Sequence, residues 1–120
     1  MKVLSLEAPL LNFWVAKSAG LKPVADGRGA GSISVMNPDS GELEPFQPSI
    51  DWSQAGPILA DQWYELEGVL IEWLGPLWPH LEIFRENSLV WFMRAFVVLR
   101  FGEEVEELFS SDEQRPVEAP

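Results

Sequence analysis

Ser88-Leu89-Val90-Trp91-Phe92-Met93-Arg94-Ala95-Phe96-Val97-Val98-Leu99-Arg100-Phe101 is apolar at every position except Ser88, Arg94 and Arg100. The run is longer than an ordinary strand of about five or six residues, so its length predicts a helix. Its valines and aromatics would also suit a strand over part of the run, and length decides between the two. Asn87 or Ser88 can cap the start, and Gly102 can end it. Because apolar residues run all the way round, this helix is expected to be central and covered on most sides. The rest of the chain must supply that cover.

Pro9–Ala19 (PLLNFWVAKSA) has helical spacing as well. Leu10, Phe13, Trp14 and Lys17 share one side, and Leu11, Trp14, Val15 and Ser18 the adjacent one. Pro9 suits a first helical turn and Gly20 a left-handed cap. Further on, Ser32-Ile33-Ser34-Val35-Met36 and Glu42-Leu43-Glu44 flank Asn37-Pro38-Asp39-Ser40-Gly41, strong turn chemistry, which predicts a hairpin over residues 32–44. Ser49 is a candidate cap for one helical turn, with Gly56-Pro57 closing it and opening another short helical segment. Tyr64–Trp73, with its β-prone Val69-Leu70-Ile71, and Leu77–Arg85 read as a second antiparallel pair broken at Gly75-Pro76. The expected fold class is therefore α+β: two main helices, near residues 9–19 and 88–101, packed on a small antiparallel sheet. A single domain is expected over residues 1–109, followed by an acidic disordered tail over residues 110–120.

Composition limits what such a domain can be. In 120 residues there is room for one core, and six Trp and seven Phe make it aromatic-rich, which excludes a wholly disordered chain. The absence of cysteine excludes disulfides, thiolate zinc sites and cysteine nucleophiles. A net charge of −11 weighs against direct nucleic-acid binding, which needs clustered Lys and Arg. Residues 103–120 hold seven acids and one base, so the acidity is mainly a property of the tail. The start of the chain lacks the pattern of a signal peptide. Leu89–Phe101 falls short of the roughly 18 apolar residues of a membrane span and carries Arg94 and Arg100. A cytoplasmic protein without membrane attachment is expected.

Three stretches carry a family resemblance. They are Leu11-Asn12-Phe13-Trp14-Val15-Ala16-Lys17-Ser18-Ala19-Gly20, then Phe46-Gln47-Pro48-Ser49-Ile50-Asp51-Trp52-Ser53-Gln54-Ala55-Gly56-Pro57-Ile58, then Leu89–Val105 with Met93-Arg94-Ala95 and Phe101-Gly102-Glu103-Glu104-Val105. In this order they resemble the opening helix, the Pro-Ser-x-x-Trp-x-x-Gly-Gly-Pro-Ile signature and the closing helix of the NinX-type phage and prophage proteins, a family of unknown function. Ala55 stands where that family usually has Gly, and Trp91-Phe92 where it usually has smaller residues. The resemblance implies a small accessory protein of phage or prophage origin. It brings no activity, cofactor or catalytic residue with it.

Candidate chemistry is sparse. His80 has neither a cysteine nor a second histidine to share a metal, and is expected as a solvent-facing histidine at a strand edge. Gly27-Arg28-Gly29-Ala30-Gly31 is neither a dinucleotide fingerprint nor a Walker loop; it reads as a mobile loop with Arg28 at its tip. Glu65, Glu67 and Glu72 fit a solvated face better than an acid/base pair. Arg94 is the anomaly, since a guanidinium midway along an apolar helix must find partners or reach solvent. It is expected to pair with Asp51, Glu72 or Glu82, or to take carbonyls of the Pro48–Pro57 turn, with Trp52 buried against the last helix. Asp51, Trp52 and Arg94 are thus the candidate binding residues. No catalytic set, metal site or cofactor is expected.

These readings favour a non-catalytic accessory or interaction protein of phage or prophage origin, binding a host or phage protein partner. The alternative is a small carboxylate-based enzyme or anionic-ligand-binding protein using Asp51, Glu72 and Arg94. An acidic nucleic-acid mimic is a third possibility, weakened because the charge sits in the tail rather than over a folded surface.

Overall fold

A computed structural model describes residues 2–8, 10–25, 33–37 and 39–105. The long apolar run forms α4 (Ser88–Phe101), ended by Gly102 at φ +88, whose N–H donates to the Val98 carbonyl. Leu89, Phe92, Met93, Ala95, Phe96 and Val97 are buried along it, and it packs against both α1 and α2. The central placement that all-round apolarity demands is what the chain adopts.

The first helix, α1 (Leu10–Ser18), buries Leu11, Trp14, Val15 and Ala16. Its end is a Schellman closure. Gly20 sits at φ +80, the Leu21 N–H reaches back to the Ala16 carbonyl and the Gly20 N–H to Lys17. Beyond it lie β1 (Pro23–Ala25), β2 (Ile33–Met36) and β3 (Leu43–Pro45), an antiparallel sheet in the order β1-β2-β3. Val35 faces Glu44 and Met36 faces Leu43 across the expected hairpin. Its turn is held by the Asn37 side-chain oxygen, which accepts from the N–H groups of Asp39 at 2.7 Å and Ser40 at 3.3 Å, and Gly41 takes φ +76. The third strand, β1, is an addition to that hairpin.

Residues 64–73 and 77–85 do not form the expected second strand pair. The first belongs to α2 (Trp52–Leu74), and the second to a 3₁₀ turn (Trp78–His80) and the short α3 (Glu82–Glu86). The physical reason lies in which side chains go inward. Ala55, Leu59, Leu66, Val69 and Leu70 are buried, three or four residues or a multiple of a turn apart, while Ile71 is left exposed. Burial of a helical stripe against α4 outweighs the weak β preference of Val69-Leu70-Ile71. Gly56-Pro57 likewise lies inside α2 instead of dividing two segments, and the helix breaks its geometry only at Gln62 (φ −124, ψ 24). His80 is exposed in the 3₁₀ turn and not at a strand edge.

Trp78 and Phe84, which the strand reading would have placed on a sheet, pack edge-to-face with each other at 5.0 Å and around Phe92 at 6.0 and 5.3 Å; Trp63 adds a fourth ring 5.6 Å from Phe92. At the other end, the 3₁₀ turn Val3–Ser5 is tied to the exit of α4. The Val3 N–H donates to the Glu103 carbonyl at 2.9 Å, and the backbones of Lys2 and Glu104 form an isolated antiparallel β-bridge. Val3 and Leu6 are fully buried. The result is an α+β globule with one antiparallel sheet and a long helix where a second sheet element was expected. The loop around Arg28 and the acidic tail over residues 110–120 lie outside the described residues. No helix among the described residues is long and apolar enough to cross a membrane.

Candidate functional site

Arg94 sits between buried Met93 and buried Ala95, so its side chain leaves α4 from a largely covered helix. On a helix, positions three, four and seven apart share a face. Asn87, Val90, Trp91 and Arg94 do so, and together they form one wall of a cleft of about 560 Å³. Ile83 on α3, Ser49 and Ile50 in the turn before α2, and Glu7 and Ala8 before α1 complete it.

The guanidinium is half-buried. Its Nε donates to the Leu6 carbonyl at 3.0 Å, and the group stacks 5.3 Å from the Trp91 ring centroid. Burial pushes its pKa below the ordinary arginine value, and the Glu7 carboxylate pulls it partly back. Arginine remains charged at any ordinary pH even so. Nε–H is one of five donors, and the four on the Nη atoms have no hydrogen-bond partner among the described residues. Trp91 is fixed in turn, its indole N–H donating to the Ile83 carbonyl at 3.1 Å.

The facing turn is clamped by two side chains, Gln54 and Asn12. Gln54 accepts from the Gln47 N–H at 2.7 Å and donates to the Pro45 carbonyl at 2.9 Å. Asn12, buried on α1, accepts from the Ser49 N–H at 3.1 Å. Ile50 is thereby presented at the cleft, 70% exposed, and Ile83 stands 54% exposed on the other side. The Ser49 hydroxyl is buried without a hydrogen-bond partner among the described residues, a condition that costs about 1–3 kcal/mol.

The three residues singled out from sequence thus have different places. Arg94 is in the cleft. Asp51 caps α2: its Oδ1 accepts from the Ser53 hydroxyl at 2.6 Å and the Ser53 N–H at 2.9 Å. Those two bonds, the hydroxyl first, hold its carboxyl below the usual carboxylate range. This makes Asp51, and not Ser49, the cap of the helix. Trp52 begins α2 and is 58% exposed, so the expected burial against the last helix does not occur. The expected partner of Arg94 is corrected as well. Neither Asp51, Glu72, Glu82 nor a carbonyl of the Pro48–Pro57 turn holds it; the Leu6 carbonyl does. The turn nevertheless reaches the same cleft, through Ser49 and Ile50. Glu72 lies exposed on α2. Sequence reasoning missed Ile83, Trp91 and Glu7 as cleft residues. The helical spacing of Trp91 from Arg94 was the available signal.

No protein-family model matches the chain, and no curated protein matches it.

Proposed function

We propose that this is a non-catalytic accessory protein of phage or prophage origin, acting in the cytoplasm by binding a protein partner through the Arg94 cleft. The observation that supports this is the exposure of Ile50 and Ile83 on either side of a cleft with Trp91 in its wall. Apolar side chains gathered at a concave surface with a few fixed polar groups are what recognition surfaces are made of. The origin is inferred from the resemblance alone.

The second reading, an anion-binding or carboxylate-based activity, draws on the unpartnered Nη donors of Arg94. It has little from the other two residues it needs. The Asp51 carboxylate is engaged by Ser53, and Glu72 is on the exposed face of α2.

The test is affinity capture from infected or lysogenic cells with the native chain, Ile83→Asp, Ile50→Asp and, as a control on an exposed position that does not line the cleft, Tyr64→Asp. A specific protein retained by the native chain and by Tyr64→Asp, but lost with both cleft variants, is the expected result. Capture indifferent to all three changes would remove the cleft from the reading.

A further inference from the structure

We propose that the Arg94 cleft takes the free C-terminal carboxylate of a polypeptide whose last residue is apolar. The proposal rests on the protein-partner reading above and names what that partner presents. Charge comes first. The Nη atoms of Arg94 carry four N–H donors without a partner among the described residues, in a fork that matches a carboxylate. The surroundings limit the size of the anion. The cleft itself holds the Glu7 carboxylate near enough to Arg94 to act on its charge. A phosphate dianion or a polyanion meets that field as repulsion, whereas a single carboxylate satisfies the fork and adds one charge.

Geometry then selects the kind of carboxylate. The guanidinium carbon lies 5.3 Å from the Trp91 ring centroid, and Ile83 is tied to that ring through its carbonyl. Cation and apolar wall are therefore immediate neighbours. A C-terminal residue has its carboxylate and its side chain on the same carbon, so it can meet both at once. An internal Asp or Glu puts its carboxylate at the end of the only side chain that carbon has, and an apolar contact must come from a different residue. The exposed Asn87 side chain at the cleft makes no hydrogen bond among the described residues and suits an amide that precedes such an end.

The test uses the isotope-labelled full chain in solution, titrated with an acetylated hexapeptide ending in Leu-Phe as the free acid, and with the same peptide as its C-terminal amide. The free acid should move the Trp91 indole and Arg94 Nε signals saturably, at about millimolar or tighter affinity, and the amide should bind at least about tenfold more weakly. Arg94→Met should abolish the preference for the acid. Glu7→Gln, which leaves Arg94 in place, should strengthen binding of the acid and not of the amide, so the proposal stays testable if Arg94→Met folds poorly. Equal binding of acid and amide would overturn carboxylate recognition while leaving the cleft as a docking surface. An amidated peptide with an internal Glu binding as well as the free acid would overturn the C-terminal assignment, as would full displacement of the peptide by inorganic phosphate. No binding of either peptide overturns the proposal, and the protein-partner reading then stands or falls on the Ile50→Asp and Ile83→Asp capture result.

Discussion

Arg94 holds two sets of neighbours, and they can be separated by substitution. Its guanidinium lies over the Trp91 ring at the end of a half-buried side chain, while its Nε satisfies the Leu6 carbonyl. Methionine keeps the stem and loses the hydrogen bond; alanine loses both. Arg94→Met should therefore retain about 1 kcal/mol more stability than Arg94→Ala, the value of roughly one buried methylene, in a urea melt. Equal losses would mean that the stem packs on nothing that matters. Asp51 gives a second, pH-dependent case. Its carboxyl is held below the ordinary value of 3.8, so its help to the start of α2 is complete above that pH and is lost as pH falls through the lower folded value. Asparagine caps as well as aspartate but does not titrate. Asp51→Asn should leave neutral-pH stability nearly unchanged and flatten the loss of helicity below about pH 4, read by circular dichroism. The odd charge of Arg94 was legible in the sequence, because a guanidinium in an apolar helix always needs an account. Its partner was not, because a backbone carbonyl leaves no mark in a sequence and Leu6 lies 88 residues away.

The elements divide in the same way. α1 and α4 were readable because each carries its own evidence, an apolar spacing closed by glycine, and in both the glycine takes the positive φ that ends the helix. The hairpin was readable from Asn37 to Gly41, where the turn is made by local side-chain and backbone bonds. α2 was not. Gly56-Pro57 and Gly75-Pro76 look like boundaries and Val69-Leu70-Ile71 looks like a strand, yet the long-range burial of Leu59, Leu66 and Leu70 decides the matter. Gly68 tests that helix directly. It is exposed within α2, and a Cβ added there meets nothing within 4 Å. Gly68→Ala should raise stability by about 0.5–1 kcal/mol, since alanine loses less backbone freedom in a helix. A destabilising result would count against helical geometry at this position. The ring cluster under α2 and α3 offers the opposite sign. Phe92 meets Trp63, Trp78 and Phe84, and Phe92→Ala should cost about 3–5 kcal/mol in the same melt.

At the scale of the whole molecule, the cleft depends on how the two ends of the described body meet. Val3 and Leu6 are fully buried, the Val3 N–H bonds to the Glu103 carbonyl, and the Leu6 carbonyl holds Arg94. The segment before α1 is thus packed into the same body as α4 and positions Glu7 and Ala8 along the cleft. Docked this way, it belongs to the cooperative unit and not to a fraying terminus, and two consequences separate those descriptions. The amides of Val3 and Leu6, whose acceptors are the Glu103 and Val3 carbonyls, should exchange with solvent as slowly as those of α4. Truncation of Leu6 to alanine should cost about 2–5 kcal/mol of global stability, as for a fully buried leucine, and should shift the Arg94 Nε resonance because the carbonyl it bonds is displaced with the segment. Fast exchange at Val3 and Leu6, together with a loss under about 1 kcal/mol for Leu6→Ala, would show the segment to be dispensable to the body. Arg94 would then keep its place through Trp91 alone, and the wall that carries Glu7 would no longer be part of the site.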